Sequence, residues 1–368
     1  MSSPRKHSDR LLLGIILTLV AFGLFIFASA SLGTLARTSL SIVSIAANQV
    51  LLGVVGGLAA MFLVSRINYR VWRKYAPVLF ALALFLSLLV FVPGLGIEAN
   101  NAKRWIAIGP LSLQPGETLK VATIILFAYL LSKYRGHVVI WPRGILLYIG
   151  VLLLPAGVLL SQPDSGTLGI IIIATGAMFL AAGARFRDIV ILAVVGIIML
   201  GALAAARPYV AERIATFANP FADQRDSGYQ IKQSLIAIGS GGLLGRGFGQ
   251  SIQKFGYLPE PTSDSIFAVA AEEFGFVGTT ALIALFMAFA GRGLWVASRS
   301  PDYFGALLGT GIVAYISGQA FINMAAMLGL IPLTGIPLVF ISRGGTAMLV
   351  ALASCGILLN ISRYARRG

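Results

Sequence analysis

Four carboxylates are concentrated in one short stretch of a chain that is otherwise poor in charge. Glu260, Asp264, Glu272 and Glu273 fall within fourteen residues, whereas the whole chain has 13 acidic residues. Ionised groups at the edge of or within an apolar segment are costly to keep there, so they are candidates for a functional site. A carboxylate in such a place can accept a proton from a hydroxyl group. It can also help to hold a hard cation.

The elements that must position these carboxylates are membrane-spanning helices. Hydrophobic residues make up 58% of the chain and charged residues 11%, and apolar runs long enough to cross a bilayer recur along its whole length. We predict an all-α polytopic membrane protein with ten transmembrane helices. The spans cover about residues 11–31, 46–65, 76–93, 117–133, 144–160, 166–183, 188–206, 265–291, 303–327 and 345–362.

The basic residues give the expected topology. The formal net charge is +15, and most Lys and Arg lie in the short loops on one side, together with both termini. The positive-inside rule therefore predicts cytoplasmic termini in the cytoplasmic membrane, and nucleic-acid binding is a poor interpretation of the charge. The expected organisation is a tail at 1–10, one transmembrane domain at 11–362 and a tail at 363–368. A large extracytoplasmic loop covers residues 207–264 between helices seven and eight.

Cysteine and histidine are too scarce for a metal cluster built from them. The chain has one Cys and two His, which also excludes an intrachain disulfide. We expect no covalently bound cofactor. Any metal would be a hard cation such as Mg²⁺ or Mn²⁺, held by carboxylates and by substrate phosphates.

The long loop contains a glycine-rich run, Gly239–Gly249, that invites comparison with phosphate-binding loops. It lacks the Lys-Ser/Thr ending of a P-loop and follows no predicted strand. Tight turning at the membrane surface is the favoured interpretation. Direct phosphate contact through its backbone amides is the alternative.

A second outward loop carries Lys103, Arg104 and Trp105, followed by Glu117 and Lys120. The first three residues suit either an interfacial belt or an outward-facing diphosphate site. Glu117 and Lys120 are three residues apart on a predicted helix, so they can form an ion pair. The other partners open to Lys120 are the two carboxylates of the opening cluster, at 272 and 273.

The four carboxylates do not all face one point. Asp264 follows Thr262 and Ser263, so it could cap the next helix or act as a base. Glu272 and Glu273 lie roughly 12–13.5 Å further along a helix and point away from Asp264. We expect them to form structural ion pairs, with a relay or metal role as the alternative.

Two further groups face the same side. Asp164 precedes a predicted span, where it could be a helix cap or contact a ligand. Prolines and glycines interrupt the apolar stretch between residues 329 and 346, which predicts a broken helix lining a cavity. Arg343 in this stretch could bind a diphosphate or pair with a carboxylate. Broken helices are also found at transporter sites.

Ser251-Ile-Gln-Lys254 and the terminal Gly356–Arg363 resemble the division-type FtsW branch of the SEDS (shape, elongation, division and sporulation) family more than its RodA branch. Seven separated motifs resemble those of the family as a whole. In chain order they are Lys103-Arg104-Trp105, Gln114-Pro115-x-Glu117-x-x-Lys120, Gln162-Pro163-Asp164-x-Gly166-Thr167, Ala237-Ile-Gly-Ser-Gly-Gly-Leu243, Tyr257-Leu-Pro-Glu260 with Asp264-x-Ile-Phe-Ala-Val, Glu272-Glu273-x-Gly275 and Pro332-x-Thr-Gly-x-Pro337. They span nearly the whole chain.

The resemblance implies a peptidoglycan glycosyltransferase that polymerises lipid II at the outer face of the membrane, in cell division, and releases undecaprenyl diphosphate. It implies Asp264 as the catalytic base, and as partners a class B penicillin-binding protein and other division proteins. The expected substrate-binding residues are Lys103, Arg104, Trp105, Glu117, Lys120, Asp164 and Arg343. A lipid II flippase and a non-catalytic division scaffold are the alternatives.

Overall fold

The computed structural model describes residues 8–37, 47–99, 102–108, 111–137, 140–206, 208–218 and 226–366. Its helices are α1 (Arg10–Arg37), a π-helix (Ala47–Gly56) that leads into α2 (Gly57–Arg66), α3 (Arg70–Leu88), α4 (Pro115–Lys133), α5 (Arg143–Ser161), α6 (Ser165–Ala181), α7 (Phe186–Ala206), α8 (Pro208–Ala218), α9 (Asp226–Ser240), α10 (Ile266–Ser298), α11 (Tyr303–Met327) and α12 (Gly345–Tyr364). Residues 1–7 and 367–368 of the two predicted tails lie outside the described part.

The all-α polytopic fold predicted from the sequence is confirmed. Nine helices in the described ranges are long and apolar enough to cross a membrane. The remaining predicted span, 166–183, corresponds to α6, an apolar helix of 17 residues. Within the predicted large loop, the described residues form α8 and α9 and then a segment of turns that leads to α10.

The spans differ in how deeply they lie in the bundle. In the most apolar window of α12, 83% of the residues are buried inside the protein, against 6% in α7. Helices α4 and α11 are also largely buried. The loops with Lys103 and Arg343 lead into α4 and α12, two of the most buried helices. The loop with Asp264 leads into α10, which packs on α11, and the loop with Asp164 leads into α6.

A small antiparallel sheet was not predicted. It consists of β1 (Gly96–Ala99), β2 (Ala102–Ile108) and β3 (Leu111–Leu113) in the order β1-β2-β3. The Lys103-Arg104-Trp105 motif lies on its central strand, where Trp105 is paired with Ile97. The sheet gives this loop a fixed shape, and Thr346 at the start of α12 holds its far end by donating to the Ser112 carbonyl at 3.0 Å.

Helix α10 is broken at Gly275, and the glycine-rich run forms hydrogen bonds with the backbone on both sides of the break. Gly275 has φ 64° and ψ −163°, so the regular hydrogen-bond ladder stops there. The amides of Arg246 and Gly247 donate to the carbonyls of Glu272 and Glu273, each at 3.0 Å.

On the other side of the break, the amides of Phe276 and Val277 donate to the carbonyls of Gly242 and Leu243, at 2.9 and 3.1 Å. Every backbone group in a membrane-embedded break needs such a partner. The glycine-rich run thus supplies the hydrogen-bond partners that the backbone of α10 lacks at the break. The tight turning expected of the run is confirmed, since Gly242, Gly245, Gly247 and Gly249 all have positive φ. Its pairing with the break in α10 was not predicted, because nothing in the run itself identifies that partner.

Gly275→Ala is expected to destabilise the protein by several kcal/mol. The backbone conformation of Gly275 is essentially restricted to glycine, and forcing another residue into it costs about 1–3 kcal/mol. An added Cβ would also lie 2.3 Å from the Gly245 backbone nitrogen. Gly291→Ala on the same helix is the matched control, because a Cβ there meets nothing within 4 Å. Thermal unfolding in detergent measures both. Equal unfolding temperatures for the two variants would contradict this account of the break.

Candidate active site

Asp264 lies in the turn immediately before α10, and two other segments hold that turn. Asn323 of α11 donates to the Asp264 carbonyl and to the Ile336 carbonyl, both at 2.8 Å. The Ser342 hydroxyl donates to the Ser263 carbonyl at 2.6 Å. The backbone of Asp264 is therefore fixed between α11 and the connection from α11 to α12.

The Asp264 side chain is left available by this arrangement. The N-cap of α10 is Ser265, and no side-chain capping bond is formed there. The capping role considered for Asp264 is therefore not what the structure shows. The carboxylate is half-buried and has Gln230 of α9 as a hydrogen-bond donor.

Two charged groups flank the Asp264 carboxylate. A Cβ added at Gly335 would lie 3.9 Å from both Asp264 Oδ2 and Arg213 Nη2, so both side chains face the same small space. Arg213 also donates to the Leu333 carbonyl at 3.3 Å. Glu260 is exposed and close enough for its charge to act on Asp264. The site therefore combines a carboxylate, a guanidinium group and a second carboxylate.

The pKa of Asp264 is raised from 3.8 to about 6, mainly by burial and in smaller part by the charge of Glu260, while hydrogen bonds and Arg213 act in the opposite direction. A general base works best when its pKa lies near the operating pH. An aspartate in this environment can remain ionised at neutral pH and still hold a proton more firmly than an exposed one. The site is thus suited to accepting a proton from a weakly acidic hydroxyl.

Glu272 and Glu273 do not contact Asp264 but bind the segment 251–254. Glu272 accepts from the Ser251 hydroxyl at 2.6 Å and from the amides of Ile252 and Gln253 at 3.1 and 3.2 Å. Its nearest cation is Arg246, at 3.6 Å. The carboxylate of Glu272 thus fastens a loop to α10 mainly through backbone amides.

Glu273 forms an ion pair with Lys254 at 2.7 Å, and both side chains are fully buried. The Ser29 hydroxyl of α1 donates to Glu273 at 2.6 Å and accepts from Lys254 at 2.8 Å. This three-residue cluster joins α1, the loop and α10. Sequence reasoning missed Lys254 as the partner, because its distance along the chain gives no periodic signal.

Lys120 forms an ion pair with Glu117, one of the partners that the sequence suggested for it. Their charged atoms are 2.9 Å apart, and the two side chains are 1% and 2% exposed. Lys120 also donates to Gln319 of α11 at 2.7 Å and lies 4.8 Å from the ring centre of Tyr315. The pair links α4 to α11 inside the bundle, so substrate contact by either residue stays a prediction.

The Lys103-Arg104-Trp105 motif is anchored to the loop between α5 and α6. Arg104 donates to the Gln162 carbonyl at 3.2 Å and to the Pro163 carbonyl. Lys103 is exposed, and Trp105 is half-buried. Arg104 therefore ties the sheet to this loop, and Lys103 is the most exposed member of the motif. Substrate contact by the three residues stays a prediction.

Asp164 caps α6, which confirms the helix-cap interpretation made from the sequence. Its carboxylate accepts from the Thr167 amide at 3.1 Å and from the Thr167 hydroxyl at 2.9 Å. Gln114, just before α4, donates to it at 3.3 Å. Asp164 is buried, and ligand contact by it stays a prediction.

The broken stretch between α11 and α12 brings Arg343 towards the Asp264 turn. The Arg343 amide donates to the Thr262 carbonyl at 2.7 Å, and its side chain is exposed. No ion pair to a carboxylate is formed by Arg343 within the described ranges. Its guanidinium group is therefore available to an anionic ligand.

The described residues do not provide a ready-made metal centre. Among them, no group of three or more His, Cys, Asp or Glu side chains is close enough to hold a metal ion. Near Asp264 the positive charge comes from Arg213. No step of the chemistry below is assigned to a metal, and the expected Mg²⁺ or Mn²⁺ stays a prediction.

These features define the class of protein as a polytopic membrane protein with one proton-accepting site at the end of a broken-helix connection. The family model described as "Cell cycle protein", for FtsW, RodA and SpoVE, matches residues 9–367. The chain therefore belongs to the FtsW/RodA/SpoVE family, which the motifs had indicated.

Relatives and solved structures agree with this assignment along the chain. Stage V sporulation protein E of Bacillus subtilis is 38% identical over 366 residues, covering 100% of both chains. A probable peptidoglycan glycosyltransferase FtsW of Geobacter sulfurreducens is 40% identical over 309 residues, covering 83% of this chain and 82% of that protein.

Among solved structures, a chain of a peptidoglycan synthase complex that coordinates polymerization and crosslinking is 25% identical with a TM-score of 0.80, covering 98% of this chain and 99% of that chain. RodA of Thermus thermophilus is 26% identical with a TM-score of 0.70, covering 98% of both chains.

Proposed function

We propose that this protein is a peptidoglycan glycosyltransferase that polymerises lipid II into glycan strands and releases undecaprenyl diphosphate. Relatives named as peptidoglycan glycosyltransferases support the reaction class. The observation that carries the proposal is Asp264, a half-buried carboxylate with a raised pKa and an arginine beside it.

Asp264 acts as the general base in this proposal. The 4-hydroxyl oxygen of the acceptor sugar forms a bond to the anomeric carbon of the donor, and its proton passes to the Asp264 carboxylate. The bond from that carbon to the diphosphate breaks, and the leaving group takes the electron pair. The chemistry parallels inverting glycoside hydrolysis, with a sugar hydroxyl in the place of water.

Cations beside the site stabilise the leaving diphosphate. Arg213 shares the space beside Gly335 with Asp264, and the exposed Arg343 extends from the same connection. Fixed positive groups aimed at developing negative charge lower the barrier of such reactions. Lys103 supplies a further charge on the sheet. These three residues form the proposed diphosphate-binding set.

The proposed setting is the outer face of the cytoplasmic membrane, with both termini in the cytoplasm. The concentration of Lys and Arg in the loops on the side of the termini supports this orientation. The FtsW relatives support a role in cell division. The full-length match to a sporulation protein makes sporulation the second candidate setting.

A class B penicillin-binding protein is the proposed partner. The support is the similarity to a chain from a peptidoglycan synthase complex in which polymerization and crosslinking are coordinated. Addition of such a transpeptidase to the purified chain is expected to increase polymer length or rate. No change with any tested transpeptidase from the same cell would contradict the pairing.

Reconstitution into lipid II-containing vesicles separates the enzyme from the flippase alternative. Polymer on a gel, together with released undecaprenyl diphosphate, is the expected result. Movement of lipid II between leaflets without any glycosidic bond formation would contradict the proposal and favour a transporter. EDTA in the same assay tests the metal prediction, since a metal-dependent enzyme would lose activity and regain it with Mg²⁺ or Mn²⁺.

The polymerisation rate is expected to fall as the pH decreases through about 6. Below its pKa of about 6 Asp264 is protonated, and a protonated carboxyl group cannot accept the proton of the acceptor hydroxyl. Above that pH the base form dominates and the rate reaches a plateau. Initial rates of polymer formation between pH 5 and pH 8 give the profile. A flat profile over this range would contradict the assignment of Asp264.

Glu260→Gln is expected to move that profile to lower pH. The negative charge of Glu260 raises the pKa of Asp264, so its removal lowers the midpoint. The rate at pH 8, where Asp264 is ionised in both proteins, should change little. An unchanged midpoint, or a midpoint at higher pH, would show that Glu260 does not act on the titrating group.

A further inference from the structure

A cavity lined by three arginines lies where the start of α1 meets the ends of α2 and α12. It has a volume of about 370 Å³, and its charged lining comes from Arg10 at the start of α1, Arg66 at the end of α2 and Arg363 in the last turn of α12. None of the described residues that line it is acidic. Asp9, the neighbour of Arg10, forms an ion pair with Arg292 at 2.6 Å.

Arg66 and Arg363 are held in place by other contacts, and neither forms an ion pair with a carboxylate in the part of the chain that the structure describes. Arg363 donates to the Ser65 carbonyl at 3.4 Å, and its Nε is buried without a hydrogen-bond partner among the described residues. The guanidinium group of Arg66 lies 4.1 Å above the Phe62 ring, which fixes its orientation. The three guanidinium groups therefore bring positive charge to the cavity, and no carboxylate of the described residues forms an ion pair with any of them.

Apart from Ser8 and Ser65, the remaining lining is apolar and belongs to spans. Leu13, Met61, Phe62 and Leu359 form this part of the wall. Free phosphate would leave that surface unused, whereas a phospholipid offers a phosphate to the arginines and acyl chains to the leucines. Arginine recognises phosphate through paired donors, and helix ends at the membrane boundary place it at headgroup depth.

We propose that this cavity is a binding site for an anionic phospholipid. It lies on the side of the chain termini, away from Asp264, and it is independent of the glycosyltransferase chemistry. The bound lipid would join the start of α1 to the ends of α2 and α12. A zwitterionic lipid is disfavoured because its cationic group would face three arginines.

Native mass spectrometry of the purified full chain tests this with phosphatidylglycerol, phosphatidylcholine and inorganic phosphate as probes. The expected result is retention of phosphatidylglycerol over phosphatidylcholine, and a loss of about fivefold in its affinity for each arginine replaced. The variants are Arg10→Gln and Arg363→Gln. Arg73→Gln, an exposed arginine in the first turn of α3 outside the cavity, is the matched control and should retain the wild-type affinity.

Three outcomes would overturn the proposal. One is equal retention of phosphatidylglycerol and phosphatidylcholine, and another is an equal loss in Arg73→Gln. Displacement of the lipid by millimolar inorganic phosphate would identify a site for the free anion instead. If Arg363→Gln unfolds because the bond to Ser65 is lost, the exposed Arg10 still decides the question through Arg10→Gln.

Discussion

Asp264→Asn is expected to lower the rate of lipid II polymerisation by about 100- to 10,000-fold, the range that general-base catalysis supplies. The amide has nearly the same shape as the carboxylate but cannot accept the proton. The turn should survive, because the bond from Asn323 is made to the Asp264 backbone carbonyl and not to its side chain. Gel analysis of polymer from purified protein measures the loss.

The fold of the Asn variant must be shown to be intact for this result to count. Because the pKa of Asp264 is raised by burial, replacing it with a neutral amide is expected to keep or raise the unfolding temperature. Glu260→Gln is the matched control, since it removes a neighbouring carboxylate in the same loop. A polymerisation rate for Asp264→Asn within a few fold of Glu260→Gln would contradict the general-base assignment.

Lys254→Met is expected to lower the free energy of unfolding by about 3–5 kcal/mol, as is typical when one partner of a buried ion pair is removed. Glu273 would then be a fully buried carboxylate whose cation, 2.7 Å away in the native protein, is gone. The Ser29 hydroxyl and the Ser251 amide would be its remaining hydrogen-bond donors. Denaturation in mixed micelles, followed at several denaturant concentrations, gives the free energy.

The double variant Lys254→Met/Glu273→Gln is the control for charge. It removes both charges at once, so most of the lost stability should return, because the penalty comes from an unpaired ion. Arg187→Met disrupts an ion pair to Asp188 in which the arginine is 55% exposed, and it should cost far less, as exposed pairs generally do. A double variant no more stable than Lys254→Met would show that the cluster acts through packing instead.

The spans were predictable because they depend on local composition. Each is a long apolar run, and hydropathy alone locates it. The sheet at residues 96–113 was not predictable in the same way, since its strands are short and Lys103 and Arg104 interrupt their apolar pattern. The partner of the glycine-rich run could not be predicted either, because its hydrogen bonds reach residues about thirty positions away on α10.

Asp264 could be predicted from the sequence, but the residues that surround it could not. The family motif indicated the carboxylate, and its position before a span was visible. Arg213, Gln230 and Asn323 were missed as its neighbours because they come from α8, α9 and α11. Only the folded chain brings these helices together, and single residues on them carry no pattern that marks a site.

The most direct test of the central claim is the release of undecaprenyl diphosphate from lipid II, measured over time with purified wild-type protein and Asp264→Asn side by side. The account predicts about one diphosphate released per glycosidic bond formed by the wild type, with the release by the variant reduced at least a hundredfold. Wild-type protein that forms no bond in the presence of its transpeptidase partner, or a variant that releases diphosphate at the wild-type rate, would contradict it.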